Sequence, residues 1–220
     1  CQRLVNQDRN VFAACMVASG DADSMLTGVT RNYQVAFTDI TRVLDPRPGS
    51  RLFGLTILVA RGRTVFIADT AVSDHPTADA LADIAEQASE AVRRMGHDPR
   101  VAFVSYSSFG NPRRRDAEPA REAVHILDER NVRFEYDGEM SVQVALDAQV
   151  REETFPFCRL RGNANVLVMP GLDAASISYK LVQKLGGGTV IGPRLKGQEK
   201  PAQIVNMDST VADTVHMGAP

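Results

Sequence analysis

The chain has 220 residues, of which 44% are hydrophobic and 24% charged, and its formal net charge is -2 at pH 7. A chain of this length and composition can bury a substantial core, as one large domain or as one and a half smaller ones. The slightly negative charge argues against nucleic-acid binding, which requires a basic surface, and no apolar run reaches the roughly eighteen residues that span a bilayer.

The cysteines and the N-terminus indicate the cellular compartment and whether the chain is a piece of a longer one. Cys1, Cys15 and Cys158 are too few and too scattered for a disulfide framework, and no signal-peptide pattern opens the chain. We therefore expect reduced thiols, a cytoplasmic location, and no nucleic-acid or membrane partner. Because the chain begins with Cys1 and enters at once on residues 5–23, a helical pattern followed by a turn, we also expect a piece of a longer polypeptide.

Short apolar runs bounded by turn residues predict the strands. They lie at residues 24–28, 51–60, 64–69, 101–107, 133–138, 165–170 and 189–193. The second and third runs are joined by the short segment RGRT, so they are typical of a hairpin.

Helical periodicity fills most of the chain between these runs. The clearest helix covers residues 77–96, because Leu81, Ile84 and Val92 recur on one face and Gly96 is a typical residue for the end of a helix. Further helices are predicted at 119–130, 139–147 and 173–187. Strands that alternate with helices predict an α/β fold with a mostly parallel sheet.

Ligands of such sheets bind beyond the carboxyl ends of the strands. The loops expected there are the opening segment and residues 28–33, 69–77, 105–115, 137–140 and 170–176. They are rich in Ser, Thr, Asn, Asp and Arg, which suits a phosphorylated small molecule.

Two of these loops leave a structural and a functional interpretation open. Arg113, Arg114 and Arg115 form either a solvated turn or a clamp on a nucleotide phosphate, and local sequence favours the turn. Asp69 at a strand end is explained by an Asx turn that leads toward the helix beginning near Thr77.

Several common motifs are missing. No G-x-G-x-x-G fingerprint indicates a nicotinamide site, and Gln198 and Glu199 stand where a P-loop needs lysine and a hydroxyl. No G-x-S-x-G elbow of a serine hydrolase occurs either. The four histidines never have metal-ligand spacing, so we expect no metal site.

Residues 201–215, PAQIVNMDSTVADTV, contain a polar cluster near the C-terminus. Thr210 and Asp213 have the spacing of a weak capping box that starts a last helix. A reactive centre is the alternative interpretation, and on local grounds capping is favoured.

Four blocks of the sequence together carry a resemblance to a known family. They are GNANVLVMPGLDAASISYKLVQKLGGGTVIGPRLKGQEKPAQIV, FIADTAVSDHPTADALADIA, VAFVSYSSFGN and EYDGEMSVQVAL. These blocks resemble the phosphate acetyltransferase and butyryltransferase family, from about residue 17 to the end of the chain.

The resemblance implies a three-layer α/β/α fold in two subdomains with a cleft between them. The family binds coenzyme A and acyl phosphate in that cleft. About the first third of such a domain is expected to be missing from this chain. A subdomain from about 70 to 175 would then be inserted between residues 1–69 and 176–220.

Other blocks are most similar to the domain at the C-terminus of bacterial NADP-dependent malic enzymes. They are VNQDRNVF, TRNYQVAFTDITRVLDP, RTVFIADTAV and FPFCRLRGNANVLVMP. This similarity implies a regulatory and assembly module, joined in one chain to a malic-enzyme catalytic domain that holds the NADP and divalent metal. Acetyl-CoA is the implied effector, and a homodimer or higher oligomer is the implied assembly.

The same resemblance gives residues 201–215 a second meaning. Active relatives carry D-L-S-R-G after a Lys-Pro pair and then an aspartate that acts as base toward the coenzyme A thiol. Alignment on Lys200 and Pro201 puts Asn206 at the serine, Met207 at the arginine and Asp213 at the aspartate. Phe109 stands where active relatives usually place a lysine.

The implied site therefore keeps a vestigial base and loses two cations. The candidate ligand-binding residues are Arg31, Asn32, Ser107, Ser108, Arg113, Asn165, Asn206 and Met207. A fixed donor at developing negative charge contributes about 2.7 to 4 kcal/mol, so transferase activity is not expected.

Three functions remain open at this point. The first is an acetyl-CoA-binding regulatory and oligomerisation domain of a malic enzyme. The second is an active phosphate acyltransferase in which Arg31 or the arginines at 113–115 replace the lost arginine. The third is a domain that only dimerises.

Overall fold

The computed structural model describes residues 2–113 and 115–218. Its helices are α1 Gln2–Gln7, α2 Arg9–Ser19, α3 Tyr33–Thr41, α4 Ala78–Arg94, α5 Glu118–Arg130, α6 Val142–Leu146, α7 Ala148–Thr154, α8 Leu172–Leu185 and α9 Val211–Gly218, with a 3-10 turn at Arg115–Ala117. Its strands are β1 Met25–Gly28, β2 Phe53–Ala60, β3 Arg63–Ala68, β4 Arg100–Val104, β5 Glu135–Met140, β6 Val166–Val168, β7 Thr189–Lys196 and β8 Ala202–Val205. In the described part of the chain, every helix is too short or too polar to cross a membrane.

The chain divides into two compact units, and the larger one comprises residues 55–190. Its strands follow the order β5-β4-β6-β3-β2, and β7, whose first two residues belong to this unit, comes next in the order. Strands β5, β4, β6 and β3 are parallel, and β2 pairs with β3 as an antiparallel hairpin. The predicted α/β class, the mostly parallel sheet and the hairpin are confirmed.

Helices cover both faces of this sheet. On one face α4 packs on β3, β4 and β6, and α5 packs on α4, β4 and β5. On the other face Ala175 and Tyr179 of α8 join Ile67 and Leu167 in a buried cluster. Because both faces are covered, β4 is apolar along its whole inner length, with Val101 and Phe103 fully buried.

Helix α4 shows why the sequence pattern was clear. Thr77 caps its first turn by accepting a hydrogen bond from the Ala80 amide at 3.3 Å, and Leu81, Ile84 and Val92 are buried. The predicted helix is therefore confirmed.

The smaller unit comprises residues 1–54 and 191–220, of which 2–54 and 191–218 are described. Strands β1 and β8 pair in parallel, from Met25 opposite Ala202 to Gly28 opposite Val205. Helices α2 and α3 pack on β1, and α9 packs on β8.

Some local predictions need correction. The helix predicted at 139–147 begins only at Val142, because Glu139 and Met140 continue β5 as fully buried residues and Ser141 caps the helix. The strand predicted to reach residue 107 ends at Val104.

The two units divide at 54/55 and 190/191, whereas the sequence placed the subdomain bounds near 70 and 175. The difference arises because β2 pairs with β3 along the whole hairpin and α8 packs on β3, so both lie with the larger unit. The cleft that the resemblance implies stays a prediction.

Candidate functional site

In the smaller unit, two loops start side by side. Gly28 and Val205 are register partners at the carboxyl ends of parallel strands, and the Val29 amide donates to the Val205 carbonyl at 3.4 Å. The loops that follow contain the candidates Arg31, Asn32, Asn206 and Met207. Strand ends of this kind are where α/β proteins bind ligands.

Gly28 allows this close approach. Its φ of +123° disfavours L side chains, and a Cβ atom there would lie 2.0 Å from the Val205 carbonyl oxygen. The pairing of β1 with β8 therefore requires glycine at this position.

A pocket of about 290 Å³ opens at these strand ends. Its lining residues are Arg9, Asn10, Leu26, Thr27, Gly28, Val29, Thr30, Arg31, Val205 and Thr214. Of the predicted ligand residues, only Arg31 is among them.

Arg31 is held by two carboxylates. Its guanidinium donates to Asp8, and to Asp39 Oδ2 at 3.0 Å. Asp39 is buried and also accepts from Asn10 at 3.2 Å, while Thr27 donates to Asn10 Oδ1 at 2.6 Å. The positive charge of Arg31 is thus already neutralised within the unit.

Asp8 serves this network and also begins α2. Burial raises the pKa of Asp8, but hydrogen bonds from Arg31 and from the Val11 and Asn10 amides outweigh it and hold the pKa below its usual range. The carboxylate is therefore ionised at neutral pH, as its two roles require.

Arg9 differs from Arg31 although both line the pocket. Arg9 is exposed at the first position of α2, and it forms no ion pair with any residue that the structure describes. The sequence analysis missed it because a basic residue beside a helix cap carries no motif. The only available signal was its place in the opening segment, which was expected to lie at a strand end.

The other candidates of this unit lie near the same strand ends. Asn32 caps α3, since its Oδ1 accepts from the Gln34 amide at 2.8 Å. Asn206 is half-buried, and Met207 has 62% of its surface exposed.

Thr210 and Asp213 form a reciprocal capping box at α9. The Asp213 amide donates to Thr210 Oγ1 at 3.2 Å, and the Thr210 amide and hydroxyl each donate to Asp213 Oδ2 at 2.8 Å. These bonds, the amide bond foremost, lower the pKa of Asp213. The capping prediction is confirmed, and a lowered pKa weakens this carboxylate as a base.

In the larger unit, Ser107 and Ser108 are buried in the loop after β4. Ser107 donates to Glu139 Oε1 at 2.7 Å, and Ser108 Oγ accepts from the Ser141 amide at 3.0 Å. Glu139 also accepts from the Gly110 amide and from Arg121. Both hydroxyls are thus engaged within the unit.

Asn165 is likewise engaged in structural hydrogen bonds. Its Oδ1 accepts from the Arg100 amide at 2.7 Å, and its Nδ2 donates to the Asp98 carbonyl at 2.8 Å. It joins the start of β4 to the segment before β6, far along the strands from their carboxyl ends. A ligand role for Asn165 stays a prediction.

The remaining candidates of this unit are in loops. Arg113 is exposed, while Arg114 lies outside the described residues, and the clamp of arginines stays a prediction. Asp69 accepts from the Ala71, Val72 and Ser73 amides, which confirms the predicted Asx turn.

Phe109 occupies the position at which the resemblance expects lysine. Its ring packs against Phe155 and Phe157, with centroid distances of 5.2 and 5.0 Å. The position is therefore part of an aromatic cluster.

No group of three or more His, Cys, Asp or Glu side chains within 2–113 and 115–218 has metal-binding geometry.

Comparison with known proteins decides the family. A family model described as "Phosphate acetyl/butaryl transferase" matches residues 1–219. The chain belongs to this family. The relationship predicted from the four sequence blocks is confirmed.

Curated relatives of two kinds match the chain. An NADP-dependent malic enzyme of Rhizobium meliloti is 57% identical over 99% of this chain and 28% of its own length, and that of Escherichia coli is 38% identical over 99% and 29%. A phosphate acetyltransferase of Corynebacterium glutamicum is 31% identical over 97% of this chain and 65% of its own. The chain thus spans less than a third of the malic enzymes that it matches.

Solved structures agree with the fold. A phosphotransacetylase from Streptococcus pyogenes matches with a TM-score of 0.87 at 29% identity, over 94% of this chain and 64% of that one. The EutD phosphotransacetylase from Staphylococcus aureus gives 0.82 at 27% identity, with the same coverage.

Proposed function

We propose that this chain is the phosphotransacetylase-like regulatory and oligomerisation domain of an NADP-dependent malic enzyme, which binds acetyl-CoA without transferring its acetyl group to phosphate. The malic enzyme converts malate to pyruvate and carbon dioxide, and its NADP and metal belong to a different part of the longer chain. The identities of 57% and 38% to NADP-dependent malic enzymes support this assignment.

The observation that carries the loss of transfer is the loop after β8. Acyl transfer between phosphate and a thiol builds negative charge on the carbonyl oxygen and on the phosphate. In the segment from Asn206 to Thr210 no residue is basic, and Met207 stands where the family resemblance puts an arginine. Without a fixed cationic donor the rate falls by about 10² to 10³.

Neither Arg31 nor the residue at position 109 compensates well for the missing arginine at position 207. Arg31 is already bound to Asp8 and to the buried Asp39, so moving it to a phosphate would break both ion pairs, although Asp39 would keep its bonds from Arg42 and Asn10. Phe109 supplies an aromatic ring where a lysine is expected. Binding is affected less, because coenzyme A also offers adenine and pantetheine groups.

The pocket of the smaller unit fits part of such a ligand. Its volume of about 290 Å³ is near the lower limit for small-molecule sites, so it holds one portion of acetyl-CoA. Arg9 is the cation that meets a phosphate group there, and Leu26 and Val29 offer partly exposed apolar surface.

Binding is tested by calorimetric titration of acetyl-CoA into the 220-residue chain. We expect saturable heat with one site per chain, and free acetate as a control should give none. An absence of saturable heat would leave only the third function, a domain that dimerises.

Transfer is tested by following thiol release from acetyl-CoA in the presence of phosphate. The Corynebacterium glutamicum phosphate acetyltransferase is the positive control. We expect no release above the blank. Turnover at a rate similar to that of the control would favour the alternative, an active acyltransferase, and its loss in Asp213→Asn would then identify the base.

Regulation is tested in the full-length protein that contains this chain. We expect acetyl-CoA to change the rate of NADPH formation from malate through its differential affinity for two assembly states. An unchanged rate at saturating acetyl-CoA would contradict the regulatory role and leave binding intact.

A further inference from the structure

Three phenylalanine rings of the larger unit contact one another. The ring centroid of Phe109 lies 5.2 Å from that of Phe155 and 5.0 Å from that of Phe157, and the centroids of Phe155 and Phe157 are 6.0 Å apart. The interplanar angles are 48°, 76° and 81°, so the pairs are tilted or edge-to-face, which is the arrangement that aromatic rings prefer. The three rings therefore form one cluster, which we call the aromatic platform.

The platform has a side in the core and a side in solvent. Phe109 and Phe155 are half-buried and pack against the core cluster of the larger unit, whereas Phe157 is 65% exposed. Phe109 belongs to the loop after β4, and such loops are where α/β sheets bind ligands. Because the rings already hold one another in place, a flat group that stacks on Phe157 loses little free energy to ordering them.

The backbone of Phe109 is held in an unusual conformation. Its φ is +50°, which is uncommon for a bulky residue. The Phe109 amide donates to the Glu139 carbonyl at 2.8 Å, and the Gly110 amide donates to Glu139 Oε1 at 2.8 Å. Since Glu139 is fully buried, the core fixes this loop. Such conformations persist only where the surroundings impose them, and they are concentrated at ligand sites, so the strain points to a use for the ring.

Two arginines of the same loop region are exposed and lack an ion pair. Arg113 and Arg115 follow Phe109 by four and six residues, and neither pairs with a carboxylate within 2–113 and 115–218. An extended chain covers at most about 3.6 Å per residue, so the Cα atom of Arg113 lies within about 14 Å of that of Phe109. Residues 110–118 include three arginines and two acidic residues, so an anion beside the platform meets a positively charged segment.

Rings and cations in one loop region match the two parts of a nucleotide. A base stacks on aromatic side chains through its flat face, and a purine offers the larger face. Arginine binds phosphate through two parallel hydrogen bonds. A patch of aliphatic side chains would accept any apolar group, whereas three rings near unpaired guanidinium groups favour a flat ring that is joined to phosphate.

Phe109 also distinguishes this chain from the active relatives that it resembles, which usually place a lysine there. The substitution removes a charge and supplies the third ring of the platform. The sequence alone left a phosphate clamp at residues 113–115 open, and the rings add a partner for the base.

We propose that the aromatic platform binds the base of a purine nucleotide and that Arg113 and Arg115 hold its phosphates. The nucleotide is either a free one or the nucleotide end of acetyl-CoA, since the two share this chemistry. The site goes beyond the proposed function, because none of its residues lines the pocket of the smaller unit.

The base half of the proposal is tested by calorimetric titration of ADP into the 220-residue chain. We expect saturable binding, and Phe157→Ala, which removes the exposed ring, should raise the dissociation constant at least tenfold. Phe157→Tyr keeps a ring and should bind within twofold of the wild type. The control is Phe12→Ala on α2, which removes a ring that is 52% exposed in the smaller unit and should leave the constant unchanged.

The phosphate half is tested with the arginines and with a ligand that lacks a base. Replacing Arg113 and Arg115 together by glutamine should raise the dissociation constant of ADP about tenfold and make it less dependent on salt. Arg133→Gln removes an exposed arginine just before β5 and should have no effect. Ribose 5-phosphate should bind at least tenfold more weakly than ADP.

Acetyl-CoA distinguishes the two sources of the nucleotide. If the platform takes the nucleotide end of acetyl-CoA, Phe157→Ala weakens acetyl-CoA as well, and ADP displaces it. If the platform takes a free nucleotide, Phe157→Ala leaves the affinity for acetyl-CoA unchanged, and ADP still binds to the chain that is saturated with acetyl-CoA.

Circular dichroism should show that each variant keeps its helix content, since the substituted residues are exposed. An absence of saturable ADP binding, or equal weakening in Phe157→Ala and Phe12→Ala, would overturn the proposal. Ribose 5-phosphate that binds as tightly as ADP would also overturn it, because the site would then hold an adventitious anion only. None of these results changes what acetyl-CoA does at the pocket of the smaller unit, so the two proposals fail separately.

Discussion

Both units have polar side chains near the carboxyl ends of their strands, but these side chains differ in whether they already have bonding partners within the unit. After β4 in the larger unit, Ser107 and Ser108 are buried and bonded to Glu139 and to the Ser141 amide. After β1 and β8 in the smaller unit, a pocket opens and Arg9 lies on it without an ion pair among the described residues.

The difference teaches how to weigh a polar residue at a strand end. Position alone marks both loops as candidate ligand sites. A polar atom that already has a short bond to a buried partner binds a ligand only by giving up that bond, which costs about 1 to 3 kcal/mol. The hydroxyls after β4 therefore serve their own loop first, whereas the pocket of the smaller unit is the place at which we propose that a ligand binds.

The largest expected effect comes from adding a side chain at the point where β1 and β8 approach each other most closely. Gly28→Ala places a Cβ atom 2.0 Å from the Val205 carbonyl oxygen and forces β1 away from β8. We expect a loss of about 3 kcal/mol in the free energy of unfolding, measured with urea.

Gly49→Ala is the matched control. Gly49 also has a positive φ, of +73°, but a Cβ atom there meets nothing within 4 Å. Its expected cost is about 1 kcal/mol. Equal losses in the two variants would mean that the close approach of the strands does not matter.

The next largest effect on stability concerns Glu139, which holds the loop after β4 in the larger unit. Glu139→Gln removes the negative charge from a fully buried group that accepts bonds from Ser107, Gly110 and Arg121. We expect a loss of about 2 kcal/mol in the free energy of unfolding.

Glu118→Gln tests whether burial is the cause of the stability loss expected for Glu139→Gln. Glu118 also pairs with Arg121, at 3.8 Å, but its side chain is largely exposed. We expect a loss below about 0.5 kcal/mol, because exposed ion pairs contribute little. A similar loss in both variants would indicate that the charge matters regardless of burial.

The smallest effect is that of the capping box. Asp213→Asn removes the charge that accepts two bonds from Thr210, and we expect a loss of about 0.5 kcal/mol at pH 7. The folded-state pKa of Asp213 is lowered, so its stabilisation is present above the unfolded-state pKa and is lost as the pH falls through the folded-state value.

The difference between wild type and Asp213→Asn should therefore vanish in acid. Thermal unfolding measured from pH 7 downward checks this. The control is Asp208→Asn. Asp208 is an exposed residue of the preceding loop, so this substitution removes the same charge and leaves the capping box intact. A difference that persists in acid would exclude the ionised carboxylate as its cause.

The fold was predictable where residues close together in the sequence determine the element. Helix α4 has a cap, an apolar face and a terminal glycine within one segment, so local residues determine it. Strand β8 was missed because it has only four residues and is stabilised by pairing with β1, about 175 positions earlier in the chain.

The site was less predictable than the fold. Arg31 was found from its strand-end loop, but its neutralisation by Asp8 and Asp39 depends on contacts across the chain that no local pattern contains. Arg9 had no motif at all. The family resemblance identified the changed positions Asn206 and Met207, which local physics gives no reason to single out.

The most direct test is calorimetric titration of acetyl-CoA into Arg9→Gln and Arg47→Gln. Both substitutions remove one exposed positive charge from the smaller unit, but only Arg9 lines the pocket. We expect Arg9→Gln to weaken binding about tenfold, as the loss of a charge-assisted bond to phosphate requires, and Arg47→Gln to bind like the wild type. Wild-type affinity in Arg9→Gln, or an equal loss in both variants, would contradict the assignment of acetyl-CoA to this pocket.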